Sequence, residues 1–99
     1  MLTKEQILEK FNSDAEMFRR EYSVSKLGLF GSFVRGEATE DSDIDVLVEL
    51  KEPTFDNYMD LKLYLEEQFR KKVDLVTVAA LKPLLKPYIE QEVVYAERL

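Results

Sequence analysis

Two apolar runs, Ile44–Leu50 and Val73–Val78, are separated by a segment whose apolar residues recur at helical spacing, and this order dictates most of the fold. Ile44, Val46, Leu47, Val48 and Leu50 are β-branched or apolar, the composition of a buried strand. Between the runs, Pro53 breaks the chain and Asp56 is placed to cap a helix on which Tyr58, Leu61, Leu65 and Phe69 share a face. The basic residues Arg70, Lys71 and Lys72 suit that helix's last turn, where cations oppose the dipole. Two strands joined through a whole helix run parallel, with a right-handed crossover.

The flanking segments complete an α/β (α+β) arrangement. Thr3 and Gln6 have the spacing of a capping box, and Ile7, Leu8, Phe11, Ala15, Phe18 and Tyr22 predict one long amphipathic helix behind it. Val24–Phe30 reads as a strand ending at Gly31-Ser32, followed by a brief helical turn over 32–36 and a polar loop over 37–42. From about Lys82 the chain reads as helical again, with Leu85, Ile89, Val93 and Ala96 in phase. Pro83 and Pro87 sit in its first turns, or Pro87 begins a fresh helix. The expected architecture is a small mixed sheet of three strands or slightly more, flanked by helices.

Composition narrows the chemistry. Ninety-nine residues leave room for a single domain over 1–99, and 45 % hydrophobic with 34 % charged residues suits a folded, soluble chain. A charge of −6 disfavours a general nucleic-acid binder, so no direct nucleic-acid partner is expected. No signal-peptide core or run of about eighteen apolar residues occurs, so the expectation is a cytoplasmic protein with no membrane partner. Cysteine and histidine are both absent, which removes disulfides, thiolate or imidazole metal sites and imidazole catalysis. Carboxylates, hydroxyls, Lys, Arg and backbone amides remain.

Gly31-Ser32 follows a strand, where a glycine lets the backbone approach a phosphate and Ser32 adds a hydroxyl; by itself it also fits an ordinary turn. Asp43 and Asp45 alternate onto one face of the strand entry, with Cα atoms roughly 6.5 Å apart at about 3.3 Å per residue. Such a pair fits two metal ions about 3.5–4 Å apart, or a solvated pair at a strand start. Asp74 tips the balance, because an acid inside an apolar strand is expensive unless paired or bound to metal. If the two strands are parallel neighbours, Asp74 lies beside Asp43 and Asp45, and an antiparallel first strand brings Gly31-Ser32 to the same edge. Carboxylates about 5 Å apart repel by roughly 3 kcal/mol at an effective dielectric of about 20, so three of them call for a cation. An all-oxygen set suits Mg²⁺ or Mn²⁺.

Gly31-Ser32-Phe33-Val34-Arg35-Gly36-Glu37 followed by Ser42-Asp43-Ile44-Asp45-Val46-Leu47-Val48-Glu49 resembles the signature of the polymerase-β-like nucleotidyltransferases. In length the chain is similar to the minimal nucleotidyltransferases of bacteria and archaea, the MNT-domain proteins. Val73–Val76 looks like their third-carboxylate strand, and Leu85–Ala96, with Val94-Tyr95-Ala96, like their C-terminal helix. The resemblance implies the polymerase-β-like fold and an ATP or other nucleoside triphosphate substrate. Ser32 and the Gly31 backbone would hold its β- and γ-phosphates. It also implies two Mg²⁺ ions on Asp43 and Asp45, with Asp74 completing the metal site and helping to deprotonate the acceptor. Arg35 would neutralise phosphate charge, or pair structurally with Glu37 or Asp41.

The family further implies an antitoxin role beside a HEPN-type toxin protein, with AMP moved from ATP to a toxin tyrosine. Two other functions remain open on the residues: a non-catalytic binding module that neutralises its partner by contact, and a catalytic subunit that modifies a small molecule beside a companion substrate-binding subunit. A homo-oligomer is also open. Tyr22, Tyr58 and Tyr88 are compatible with a protein partner but read first as core or rim residues.

Overall fold

The computed structural model describes residues Met1–Leu99. Its sheet has four strands in the order β3-β2-β1-β4: β1 is Val24–Phe30, β2 Ile44–Leu50, β3 Val73–Thr77 and β4 Val94–Tyr95. β1 and β4 run antiparallel, β1 and β2 run antiparallel, and β2 and β3 run parallel, as the intervening helix requires. Ile44, Val46, Val48 and Leu50 of β2 are buried with Leu27 and Leu29 of β1 and Val73 and Leu75 of β3. The helices supply Ile7, Phe11, Phe18, Leu61 and Leu65 to the same core. Because side chains alternate along a strand, the residues between them, Asp45 among them, point out of this core.

The first helical stretch is two helices, where the apolar period predicts one. α1 (Lys4–Ser13) starts at Thr3 with the expected capping box: Gln6 N–H donates to Thr3 Oγ1 at 3.1 Å and Thr3 N–H to Gln6 Oε1 at 2.9 Å. The chain then turns at Asp14, and α2 (Ala15–Tyr22) follows. Asp14 is held there by Tyr64, whose hydroxyl donates to its carboxylate at 2.7 Å, and by Lys10 Nζ at 3.1 Å. The bend lets Phe11 meet Phe69 edge-on at 6.1 Å while Phe18 meets Tyr64 edge-on at 5.7 Å. Packing against two places on the next long helix overrides the continuous period.

That helix, α4 (Phe55–Phe69), follows the short α3 (Ser32–Arg35) and is capped by Thr54, not Asp56: Asn57 N–H donates to Thr54 Oγ1 at 3.1 Å. Asp56 falls inside the first turn. Arg70 ends the helix in the left-handed conformation at φ 52°, so the basic run lies beyond the last turn. Lys71 instead reaches the polar loop before β2, its Nζ donating to the carbonyls of Glu40 at 2.6 Å and Ser42 at 3.0 Å.

The C-terminal third departs furthest from expectation. β3 stops at Thr77 and a 3₁₀ turn covers Val78–Ala80. α5 (Lys86–Glu92) begins afresh with Pro87 in its first turn, the second of the two proline arrangements. It ends before Val93, and Val94–Tyr95 form a strand where a helix was expected. Ala96 N–H then donates to the Leu27 carbonyl at 2.8 Å. The tight fit of this strand explains Gly28, where a Cβ would lie 2.5 Å from Val93 Cγ2. No helix is long and apolar enough to cross a membrane.

Candidate active site

The antiparallel β1–β2 pair and the parallel β2–β3 pair bring three chain segments to one sheet edge. Phe30 stands opposite Asp45, so Gly31-Ser32 emerges beside that carboxylate, and Asp45 stands opposite Asp74 in the parallel register. Asp43 precedes β2 in the same entry segment. Asp45 is half-buried, whereas Asp43 and Asp74 are exposed.

Gly31 is buried, with φ 80° and ψ −151°, a conformation that only glycine adopts readily, and a Cβ there would overlap the Asp45 carboxylate. The glycine thus serves a close approach of backbone to carboxylate as well as a turn. Its N–H is already engaged, donating to Glu92 Oε2 at 2.8 Å. The backbone amides of Ser32 and Phe33 have no backbone acceptor, and with the Ser32 hydroxyl they are the donors this turn presents to an anion.

The electrostatics centre on Asp45. Its carboxyl is pushed up from its ordinary value to about 6, first by burial and then by the charges of Asp74 and Asp43, with Arg35 pulling the other way and Glu92 adding to the rise. As the side chains stand, no three carboxylates converge closely enough to hold a metal ion. The donor set itself fits Mg²⁺ or Mn²⁺: three carboxylates from adjoining strand starts, no imidazole or thiolate, and a mutual repulsion that a cation relieves.

Arg35, at the end of α3, is paired with Glu37 (Nε, 2.7 Å) and Glu92 (Nη1, 2.9 Å), so its second partner is Glu92 and not Asp41. Those two bonds, Glu37's first, raise the guanidinium pKa above its ordinary value. Glu92 is the residue that reading the sequence missed. Nothing in the sequence sets it apart from its polar neighbours Glu90 and Gln91 except that it directly precedes the apolar Val93-Val94-Tyr95-Ala96. Of the three tyrosines, Tyr22 packs against Phe18 and Tyr64, and Tyr58 donates to the Leu75 carbonyl at 2.6 Å. Tyr88 is 73 % exposed.

Comparison with known proteins bears on family and fold. A family model described as a nucleotidyltransferase domain matches residues 6–96. The protein adenylyltransferase MntA of Thermococcus cleftensis is 41 % identical over 96 residues, covering 96 % of this chain and 97 % of that protein. A chain from Methanocaldococcus jannaschii, assigned as a protein adenylyltransferase, is 39 % identical over 99 residues, covering 96 % of this chain and 99 % of its own. Among solved structures, one assigned as a minimal nucleotidyltransferase superposes with a TM-score of 0.71 at 34 % identity, covering 88 % of this chain and 93 % of that chain. A chain in a toxin–antitoxin structure with AMP-PNP superposes with a TM-score of 0.69 at 20 % identity, covering 86 % of this chain and 71 % of that one, a likeness of fold.

Proposed function

The chain belongs to the nucleotidyltransferase-domain family, and from that membership we propose that it is a protein adenylyltransferase, moving AMP from ATP onto a tyrosine hydroxyl of a HEPN-type toxin for which it is the antitoxin. The observation that carries the reading is the sheet edge at which Asp45 lies opposite Asp74 and against Gly31. The acceptor class is supported by relatives named protein adenylyltransferases that match this chain over nearly its whole length.

Asp43, Asp45 and Asp74 would hold two Mg²⁺ ions, with Mn²⁺ as a substitute, which when bound would supply charge stabilisation for an in-line displacement. The Ser32 hydroxyl and amide bind the β- and γ-phosphates, and the N–H groups that Arg35 has left over add charge to the same contact. Asp74, across β2 from this turn, takes the proton of the acceptor hydroxyl. The tyrosine oxygen bonds to the α-phosphorus, the bond from that phosphorus to the bridging oxygen breaks, and pyrophosphate leaves with its electron pair.

The test is transfer of label from [α-³²P]ATP, with Mg²⁺, to the protein encoded beside this chain, followed by intact mass of the acceptor. We expect a gain of one or more AMP groups, lost in the Asp43→Asn, Asp45→Asn double variant. Label that persists undiminished in that variant, or neutralisation of the toxin with no change in its mass, overturns the reading.

A further inference from the structure

Glu92 ends α5, and its carboxylate is divided between the two ends of the Ser32 turn. One oxygen accepts the Gly31 N–H at 2.8 Å and the other accepts Arg35 Nη1 at 2.9 Å. We propose that Glu92 is a positioning residue for nucleotide binding, which braces the Gly31–Arg35 turn from the C-terminal segment and aims the Arg35 guanidinium at the phosphates the turn receives. The inference rests on the nucleotidyltransferase reading above and deepens it.

A brace is needed because α3 has only four residues and cannot hold its own shape. Arg35 needs one as well. Its side chain is 48 % exposed, and a free arginine there would lose rotamer entropy on meeting a ligand. Glu37 takes Nε and Glu92 takes Nη1, which fixes the plane of the fork and leaves the remaining N–H groups for an incoming anion.

A carboxylate on a loop amide could instead be an internal competitor for the phosphate. The covalent setting argues otherwise. Two and three residues beyond Glu92, Val94 and Tyr95 pair with Leu29 and Gly28 of β1, the strand that leads into Gly31. Ala96 is buried and bonded to Leu27, so the segment has no slack with which to swing Glu92 away. Burial pushes the Glu92 carboxyl up, but its bonds to Arg35 and Gly31 outweigh this and hold it below its ordinary value, so it stays ionised at neutral pH.

The test is titration calorimetry of the full chain with inorganic triphosphate and with ATP, both with Mg²⁺, alongside KM, kcat and thermal unfolding. The variants are Glu92→Ala and Glu92→Gln, the latter also in an Arg35→Met background. Glu92→Ala should weaken both ligands roughly tenfold, the effect of a lost charge-assisted bond. Glu92→Gln, which still accepts from Gly31, should weaken them less, with KM raised, kcat changed less than threefold and the melting temperature unmoved. In the Arg35→Met background Glu92→Gln should have no further effect. If Glu92→Ala does not fold, the isosteric Gln variant decides. Unchanged or tighter binding in the Gln variant overturns the inference, the tighter result making Glu92 a competitor. A loss that persists in the Arg35→Met background overturns it too. Wild-type protein that binds neither ligand overturns the nucleotidyltransferase reading itself, a result distinct from wild-type binding that Glu92 leaves untouched.

Discussion

Gly31 and Asp45 are packed so closely that a methyl group on the one would occupy the space of the other's carboxylate. The loop that presents Ser32 and the strand that presents the acid are therefore built as one surface. Gly31→Ala meets two penalties at once: the overlap, and a backbone at φ 80° that an L-residue adopts at a cost of roughly 1–3 kcal/mol. We expect nucleotide transfer to fall at least a hundredfold and the melting temperature to drop, as seen in a labelled-ATP assay and a thermal scan. Gly36→Ala, whose Cβ would meet nothing within 4 Å, should cost far less activity.

The Asp45 carboxyl titrates near 6 in the fold and near 3.8 when free, so the folded state holds its proton more tightly. Stability from this group is present below pH 3.8 and is lost as pH rises from there through about 6. With metal chelated, Asp45→Asn should therefore be the more stable protein at pH 7–8, and the difference should vanish near pH 4. With half-burial and solvent screening the gain is about 1 kcal/mol, or roughly 4–8 °C for a domain of this size. Thermal unfolding in EDTA across pH 4–8 measures it. Added Mg²⁺ should raise the melting point of wild type and leave that of the variant unmoved.

These sites were legible in the sequence to different depths, for physical reasons. β2, β3 and the edge they share could be read because Ile44–Leu50 and Val73–Thr77 are strongly patterned and a helix must connect them in parallel. The Asp43, Asp45 and Asp74 placement followed from that topology. β4 could not be read: two residues carry no period, and Val93 and Ala96 continue the phase set by Ile89. The break at Asp14 was hidden because its cause, Tyr64, lies fifty residues away. Glu92 was hidden for the same reason, its partners being at positions 31 and 35.

The start of α4 separates one hydroxyl and one acid, Thr54 and Asp56, that both look like caps in sequence. Thr54 makes the capping bond and Asp56 makes none. Thr54→Ala should cost about 1 kcal/mol in urea unfolding. Asp56→Ala, which gives up only a favourable position near the helix dipole, should cost about half of that or less. Equal losses would mean that the helix starts later than Phe55.

Strand order separates nucleotide from acceptor. The Ser32 turn leaves β1, Asp45 sits on β2 and Asp74 on β3, so the turn and Asp74 lie two strand spacings apart, about 10 Å. A residue in the turn acts on the triphosphate, and a residue on β3 acts on what attacks it. Ser32→Ala should therefore raise KM for ATP roughly tenfold while kcat changes little, since one hydrogen bond to a charged group is lost. Asp74→Asn should do the reverse, lowering kcat by about 10²- to 10⁴-fold, the range of general-base loss, while inorganic triphosphate still binds. Steady-state kinetics with ATP varied at saturating acceptor, set beside triphosphate calorimetry, separates the two. An Asp74→Asn protein that loses triphosphate binding as severely as kcat would move this acid from the acceptor side to the nucleotide side of the site.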